Sequence, residues 1–337
     1  MRAIVITEFG PPHVFAQADV PTPTPGPGQI LIRVAASSVN PLDYKIRSGL
    51  LPSLAPPFPA VLHGDVAGVV EACGPGVSTF HPGDRVFACA GGIVGHGGAL
   101  AEFMLADANL VAHAPRSLPL THAAVLPLVS LTAWEALIDR VHIKPAQRVL
   151  IHGGTGGVGH IALQLAKLQG AFLYTTVSSD EKAAAARSLG ANTVINYKTT
   201  PVDAYVAEHT NHLGFDLVFD TVGGPALTAS FSAVKAGGSV VTIAARSTQD
   251  LSPLHAKGAS LHVVLMLLPM LTGINRPHHG AILRSIADLV DTGRLRPLIH
   301  PRVFSFLEVA EAHATLERGG VIGKIALSSP WFNPEPV

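Results

Sequence analysis

An apolar strand leads directly into a glycine-rich turn in the segment Arg148-Val149-Leu150-Ile151-His152-Gly153-Gly154-Thr155-Gly156-Gly157-Val158-Gly159. A helix is predicted from 157 to 169, with apolar residues three and four positions apart. Gly154, Gly156 and Gly159 have the spacing of a dinucleotide-binding turn. Without Cβ atoms, such a turn lets the backbone approach a pyrophosphate, and the helix start offers unpaired N–H groups. We therefore predict a dinucleotide site here.

Outward from this turn, strands and helices alternate. Strands are predicted at 172–177, 193–196, 217–222 and 239–244, with a helix at 180–189, and this order implies a parallel sheet with right-handed crossovers. The apolar run Leu261–Leu268 is predicted to be the last strand of that sheet. Up to about Leu120, short β-like runs are separated by Pro and Gly, which indicates a mostly antiparallel domain. We expect this domain to comprise 1–121 and 269–337, and the dinucleotide domain 122–268.

The residues after the second predicted strand indicate which dinucleotide binds. NAD-specific folds carry an acidic residue about 20 positions past the glycine turn. Here Thr176-Val177-Ser178-Ser179 comes first, and the carboxylate of Asp180 and the ammonium of Lys182 follow. Hydroxyl groups and an ammonium favour a 2′-phosphate, so we predict NADPH. Helix capping is the alternative role for Ser178, Ser179 and Asp180.

Composition limits the remaining functions. Among 337 residues, 23 Lys and Arg balance 23 Asp and Glu, so the net charge of zero predicts neither a nucleic-acid nor a membrane partner. The longest apolar run is far shorter than the ~20 residues of a membrane span. Cys73 and Cys89 are expected to be free thiols in a reducing cytoplasm. The histidines are scattered, and no signal-peptide pattern is visible, so we expect a cytoplasmic protein with no metal site.

Several segments along the whole chain carry a family resemblance: Val39–Gly49, His63–Gly68, Leu131–Trp134, Ile195–Tyr197, Asp220–Gly224 and Gly323–Ile325. In order and spacing they resemble the medium-chain dehydrogenase/reductase superfamily, in its zinc-free quinone oxidoreductase and enone reductase branch. The resemblance implies an α/β protein with a GroES-like β domain and a Rossmann domain with a doubly wound parallel sheet. It also implies a homodimer joined through the 261–268 strand.

The zinc-dependent members of that superfamily differ at the ligand positions. Asn40 stands where they carry a Cys, and Gly64 stands where they carry a His, with His63 one position out of register. The four-cysteine structural lobe is also absent. An amide and a glycine cannot replace a thiolate and an imidazole. Without a Lewis acid, the expected acceptor is activated: a quinone, or a C=C bond conjugated to a carbonyl group.

The resemblance assigns catalysis to the loop after Asn40. Lys45 holds the place of the family's active-site tyrosine and is the first candidate to polarise the carbonyl oxygen, with Tyr44 the second. Asn40 and Asp43 are expected to shape the pocket. The alternative roles are a solvated surface charge for Lys45, loop packing for Tyr44 and a helix cap for Asp43.

The resemblance also extends the cofactor site. Thr155, Gly157 and Val158 join the glycines at the pyrophosphate, and Ser178, Lys182 and Tyr197 surround the 2′-phosphate. Thr132 is expected near the nicotinamide, or as an ordinary helix residue. Thr221 and Val222 follow a strand at the ligand-binding edge, Lys324 lies near the cofactor cleft, and Arg246 reaches a phosphate.

Two rival functions stay open. One is a zinc-type alcohol dehydrogenase, which the Asn40 and Gly64 positions oppose. The other is an NADPH-binding sensor or structural protein with little turnover, which would carry the same cofactor motifs. The presence of Lys45 and Tyr44 favours catalysis.

Overall fold

The computed structural model describes residues 1–333, which divide into two compact units. Unit 1 comprises Met1–Leu128 and the chain from Leu267 onward, and unit 2 comprises Val129–Met266. The predicted domain boundaries, 121/122 and 268/269, fall close to these positions.

The strands and helices of the described residues follow in chain order. The strands are β1 Arg2–Ile6, β2 Ala16–Asp19, β3 Gln29–Val39, β4 Ala60–Val61, β5 Asp65–Cys73, β6 Arg85–Cys89, β7 Phe103–Asp107, β8 Val111–His113, β9 Arg148–His152, β10 Phe172–Val177, β11 Thr193–Asn196, β12 Phe215–Asp220, β13 Val234–Thr242, β14 Ser260–Val263, β15 Phe304–Ser305 and β16 Ile325–Ser328. The helices are α1 Pro41–Arg47, α2 Leu120–Ala123, α3 Pro127–Trp134, α4 Gly157–Leu168, α5 Asp180–Ser188, α6 Val202–Thr210, α7 Pro225–Ala233, α8 Ser252–Lys257, α9 Leu268–Thr272, α10 Arg276–Asp291 and α11 Val309–Glu317.

Unit 2 is a parallel sheet with the strand order β11-β10-β9-β12-β13-β14. The first strand in sequence, β9, lies between β10 and β12, so the chain reverses its direction of travel across the sheet at β9. Such a switch point is where open α/β sheets bind ligands, at the carboxyl ends of the strands. Leu150, Val218 and Val240 are fully buried, as expected for strands covered on both faces. The predicted doubly wound Rossmann sheet is confirmed.

The last strand of this sheet is shorter than predicted. The run Leu261–Leu268 was expected to form one strand, but β14 covers only Ser260–Val263, and α9 begins at Leu268. Its partner β13 ends at Thr242, and beyond the Val264 N–H bond to Thr242 O (3.0 Å) there is no strand edge to pair with. Pro269, in the first turn of α9, then favours a helix start.

Unit 1 is built mostly from antiparallel strands, as expected for the predicted GroES-like domain, and only β15 and β16 among its named strands pair in parallel. Its larger sheet has the order β15-β16-β3-β5-β6-β8, with β7 also paired to β3, and β2-β1-β4 form a smaller sheet. The long strand β3 bonds to β5, β7 and β16 along its length. Gly68 permits close packing between β5 and β3, since a Cβ there would lie 2.2 Å from Arg33 O.

One stretch of the described chain, Leu120–Arg140, is long and apolar enough to cross a membrane by length and composition. However, most of this stretch is buried inside the protein, and core helices of soluble proteins can be as long and as apolar. This stretch is therefore weak evidence for a membrane span.

Candidate active site

A buried polar network lies where β3 ends and α1 begins. The carboxylate of Asp65 accepts hydrogen bonds from Ser38 Oγ (2.6 Å), Asn40 Nδ2 (2.8 Å) and Leu128 N (2.8 Å). Lys324 Nζ lies 3.5 Å from Asp65 Oδ2. We call Ser38, Asn40, Asp65 and Lys324 the Asn40 network. All four side chains are buried, and Asp65 is 0% exposed, so each polar atom depends on the others rather than on water.

Lys324, which the resemblance places near the cofactor cleft, makes three polar contacts inside unit 1. Its ammonium donates to Val39 O (3.0 Å) and to Asn40 Oδ1, and it pairs with Asp65. An ammonium has three N–H donors, and these acceptors engage all of them. Burial lowers the pKa of Lys324, and the Asp65 and Asp43 carboxylates oppose that shift. With only 3% of its surface exposed, Lys324 is an internal charge of unit 1.

Asp43 adopts the helix-cap role that the sequence left open. Its Oδ2 accepts the Asn40 N–H (2.7 Å), and this reciprocal cap starts α1, with Pro41 at its first position. Burial raises the pKa of Asp43 to about 7, although the hydrogen bond from Asn40 opposes the shift. Asn40 is equally occupied, because its amide donates to Asp65 and accepts from Lys324. Both residues therefore fix the position of α1.

Helix α1 carries Tyr44 and Lys45 as partly exposed side chains. Within residues 1–333, neither the Tyr44 hydroxyl nor the Lys45 ammonium has a hydrogen-bond or ion-pair partner. Burial, followed by the charge of Glu317, raises the pKa of Tyr44. The Tyr44 hydroxyl and the Lys45 ammonium therefore stay available to a ligand.

The far end of α1 is anchored by an ion pair that sequence reasoning missed. Arg47, only 1% exposed, donates to both carboxylate oxygens of Glu317 in α11, at 3.1 Å and 2.8 Å. The motif positions of Arg47 gave no sign of this partner, which lies 270 positions away. A two-point bond of this kind fixes orientation as well as distance.

A buried histidine pair, also missed, lies next to the Asn40 network. His63 Nε2 and His313 Nε2 are 2.8 Å apart, and Ser37 Oγ lies 3.3 Å from His63 Nδ1 and donates to Asp65 O (2.7 Å). Burial lowers the pKa of His63 to about 3 and that of His313 well below its usual range. The pair is therefore neutral near pH 7 and shares one N–H.

In unit 2 the glycine turn has the predicted geometry. A Cβ at Gly154 would lie 2.1 Å from Thr175 Oγ1, and one at Gly159 would lie 2.2 Å from Gly153 O. Gly153 has a φ of 69°, in the left-handed region that favours glycine. Helix α4 begins at Gly157 with Gly156 as its N-cap and no side-chain cap. Its first N–H groups are thus available to an anion.

The other predicted pyrophosphate residues belong to the same turn. Thr155 is buried, and Gly157 and Val158 are partly exposed in the first turn of α4. The cradle formed by the turn, which side chains would fill, fits a dinucleotide.

The predicted 2′-phosphate residues Ser178 and Tyr197 follow the carboxyl ends of β10 and β11. Val177 of β10 pairs with Asn196 of β11, so Ser178 and Tyr197 follow neighbouring strands at the same sheet edge. Tyr197 is 56% exposed. Ser179 caps α5, since its Oγ accepts the Lys182 N–H (3.4 Å), which leaves the Lys182 side chain partly exposed in the first turn. Of the two serines, Ser178 is the one left for a ligand.

At the end of β12, Thr221 ties two strands together, because its Oγ1 donates to His152 O of β9 (2.7 Å). Val222 is exposed beside the glycine turn, where a Cβ on Gly153 would approach its Cγ2 to 3.2 Å. Sequence reasoning missed His152, whose Nδ1 lies 3.1 Å from Thr176 Oγ1. Burial lowers the pKa of His152 to about 4, although the Asp220 charge opposes the shift.

Two predicted cofactor residues remain. Thr132 is buried within α3, which agrees with its alternative as a helix residue. Arg246 is exposed in the loop after β13.

Comparison with known proteins agrees with both units. Residues 26–116 match the family described as "Alcohol dehydrogenase GroES-like domain", and residues 189–327 match "Zinc-binding dehydrogenase". The quinone oxidoreductase of Pongo abelii is 31% identical over 329 residues, covering 97% of each chain. The chain belongs to the quinone oxidoreductase branch of the medium-chain dehydrogenases/reductases.

Solved structures support the same family. An alcohol dehydrogenase superfamily protein from Novosphingobium aromaticivorans is 43% identical, with a TM-score of 0.91 over 97% of this chain and 99% of that one. Escherichia coli quinone oxidoreductase complexed with NADPH is 27% identical, with a TM-score of 0.88 over 97% of this chain and 100% of that one. This family member is therefore an NAD(P)H-dependent oxidoreductase.

The family description raises the question of zinc, and the residues present do not fit it. The Asn40 amide, at the place of the cysteine ligand, is bonded at both ends. A Cβ on Gly64, at the place of the histidine ligand, would lie 2.8 Å from Gly91 O and 3.2 Å from Cys89 Sγ, so an imidazole has no room. Burial raises the pKa of Cys89 far above that of a zinc-binding thiolate. Residues 1–333 contain no group of three His, Cys, Asp or Glu side chains placed to hold a metal.

Proposed function

We propose that the protein transfers hydride from NADPH to quinones or to the C=C bond of α,β-unsaturated carbonyl compounds, without zinc. The observation that carries this proposal is the unpaired Lys45 ammonium on α1, a helix held at both ends by buried polar contacts. Such a cation is suited to an acceptor oxygen that gains negative charge during reduction.

The choice of NADPH rests on charge at the ends of β10 and β11. Ser178, Lys182 and Tyr197 offer hydroxyl groups and an ammonium, and the Ser179 position, where NAD-specific folds favour acidic residues, carries no carboxylate. When bound at the glycine turn, NADPH supplies the hydride. The protein's residues hold its pyrophosphate by backbone N–H groups and bind its 2′-phosphate with the Lys182 charge.

The choice of an activated acceptor rests on the missing metal ligands. Reduction of an ordinary ketone is promoted by an electrophile at its oxygen, which zinc supplies in related dehydrogenases. Lys45 is a weaker electrophile than a divalent metal, so an acceptor that already carries a conjugated system fits better. Tyr44 is the second donor, and burial raises the pKa of its hydroxyl group above the ordinary value.

The decisive experiment measures NADPH consumption by metal-stripped protein with a panel of enones and simple quinones. We expect saturable turnover without metal, and a kcat/KM roughly 100-fold lower for Lys45→Met, because removing one such donor costs about that much. Tyr44→Phe tests the second donor. Lys144→Met, which removes an exposed lysine of unit 2, is the matched control.

Three outcomes would contradict the proposal. Turnover that appears only after zinc is added would support a zinc-type dehydrogenase. Tight NADPH binding with no turnover of any acceptor would support a binding protein. A Lys45→Met variant as active as the Lys144→Met control would leave the polarising role to Tyr44 or to another group.

We also propose a homodimer formed through β14. This strand lies at the edge of the sheet, and Val263 on it is 53% exposed. An apolar sheet edge of this kind favours pairing with a second copy. Light scattering that gives a mass of twice 35.0 kDa would support the dimer, and a monomer at micromolar concentration would contradict it.

A further inference from the structure

In the Asn40 network, the positive charge of Lys324 is paired with the buried negative charge of Asp65. The Lys324 ammonium lies 3.5 Å from the Asp65 carboxylate, and no part of Asp65 reaches solvent. Asp43, a second buried carboxyl group, caps α1 through the Asn40 N–H. The Lys324 ammonium joins these elements, because it bonds to Asn40, which lies 284 positions earlier in the chain.

This ion pair lies at the positions where zinc-dependent relatives carry their zinc ligands. Asn40 replaces the ligand cysteine, and its side-chain oxygen accepts from the Lys324 ammonium. Asp65 follows Gly64, which replaces the ligand histidine. The Lys324 ammonium, a fixed monovalent cation, thus bonds to Asn40, the residue at the position of a metal ligand.

We propose that Lys324 is a positioning residue whose ammonium is the internal cation of the active site, holding Asn40 and Asp65 and, through the Asn40–Asp43 cap, the helix that carries Lys45. The proposal rests on the function proposed above for Lys45. Lys324 itself does not polarise the acceptor, because its donors are engaged and it is buried.

Removal of the ammonium has a defined consequence. The buried Asp65 carboxylate would keep only neutral donors, and Asn40 Oδ1 would lose its donor. A buried charge left without its partner is strongly unfavourable, so the network must rearrange or take up a proton. Because Asn40 is the N-cap of α1, such a rearrangement loosens the start of that helix.

The test compares Lys324→Met with the double variant Lys324→Met/Asp65→Asn. The double variant removes both charges together, so that neither is left buried without its partner, and the amide at position 65 keeps one oxygen acceptor for its neighbours. We expect Lys324→Met to lower kcat roughly 100-fold, the cost of a misplaced catalytic group, with the Kd for NADPH unchanged. The double variant should recover most of this loss.

Hydrogen–deuterium exchange of the peptide that contains α1 supplies a readout independent of turnover. We expect faster exchange in Lys324→Met than in the wild type, protection restored in the double variant, and no change in Lys144→Met. If the wild-type protein turns over no acceptor, this exchange pattern still decides the role of Lys324, so the two proposals fail separately.

Three results would overturn the inference. A raised Kd for NADPH in Lys324→Met, not corrected by Asp65→Asn, would return Lys324 to the cofactor site. A double variant with losses larger than those of the single variant would show that the charges do not balance each other. Unchanged exchange of α1 in a folded Lys324→Met variant would show that the ammonium does not hold the helix.

Discussion

The Asn40 network of unit 1 and the glycine turn of unit 2 prepare polar groups by opposite means. In the network, buried side chains satisfy one another's hydrogen bonds and charges. In the turn, side chains are absent, and the unpaired backbone N–H groups at the start of α4 form the site. The first arrangement should fail when a charge is removed, and the second when a methyl group is added.

The largest effect is expected from the ion pair at the end of α1. Glu317→Gln leaves the buried Arg47 guanidinium without a counter-charge, which should lower the free energy of unfolding of unit 1 by about 3 kcal/mol. Arg47→Met should cost less, because the Glu317 carboxylate is partly exposed and can be hydrated. Urea unfolding, followed by Trp331 fluorescence in a Trp134→Phe background, measures unit 1.

Glu311→Gln is the matched control for this ion pair. It breaks an exposed pair with Arg302 in the same unit and should have little effect. Equal losses for Glu317→Gln and Glu311→Gln would show that burial of Arg47 does not determine the strength of its pair.

The second-largest effect is expected in the glycine turn of unit 2. Gly159→Ala places a Cβ 2.2 Å from Gly153 O and should push α4 away from the turn. Several N–H contacts to the pyrophosphate would weaken together, so the Kd for NADPH should rise roughly 100-fold in a fluorescence titration. Gly97→Ala is the control, because a Cβ there meets nothing within 4 Å. Unchanged NADPH affinity in Gly159→Ala would contradict the assigned pyrophosphate site.

This contrast also explains what the sequence could predict. The glycine turn and the order of strands and helices around it depend on neighbours close in sequence, and the structure agrees with both. The partners of the buried groups in unit 1 come from distant positions: His63 and His313 are 250 apart, and Asn40 and Lys324 are 284 apart. No local spacing encodes such a pair, so the sequence could not predict that Lys324 contacts Asn40.

The end of β14 was mispredicted for a related reason. The apolar run continues to Leu268, but a strand lasts only as long as its partner, and β13 ends at Thr242. Asp65 offered one usable signal, since it is the carboxylate within the His63–Gly68 segment that marks the family.

A third prediction compares the two units in acid. The folded pKa values of His63, His313 and His152 are lowered, so the unfolded chain, with a histidine pKa near 6.5, binds more protons. Their contribution to stability is therefore complete above about pH 6.5. It is lost as the pH falls, toward about 3 for His63 and about 4 for His152, by about 1.4 kcal/mol per pH unit for each proton.

Urea unfolding at pH 7 and pH 5 separates these contributions when unit 1 is followed by Trp331 in a Trp134→Phe background and unit 2 by Trp134 in a Trp331→Phe background. His313→Gln should make the pH dependence of unit 1 shallower and leave that of unit 2 unchanged. The raised pKa of Asp43 acts in the opposite direction, because its burial lowers the free energy of unfolding as the pH rises from about 4 to about 7. This contribution is the same in the wild type and in His313→Gln. An unchanged slope in His313→Gln would exclude the histidine pair as a source of acid sensitivity.

The smallest effect concerns the choice between the two dinucleotides. Lys182→Ala removes a partly exposed ammonium at the start of α5, and the loss of one hydrogen bond to a charged group should raise the Kd for NADPH about tenfold. The Kd for NADH should not change, because NADH lacks the 2′-phosphate. Lys235→Ala is the control, since Lys235 lies at the amino end of β13, whereas Lys182 follows the carboxyl end of β10. Added salt should reduce the preference for NADPH in the wild type more than in Lys182→Ala, because the difference is electrostatic. If Lys182→Ala weakened both cofactors equally, the residues after β10 would bind a part that the two dinucleotides share, and the preference for NADPH would have to arise elsewhere.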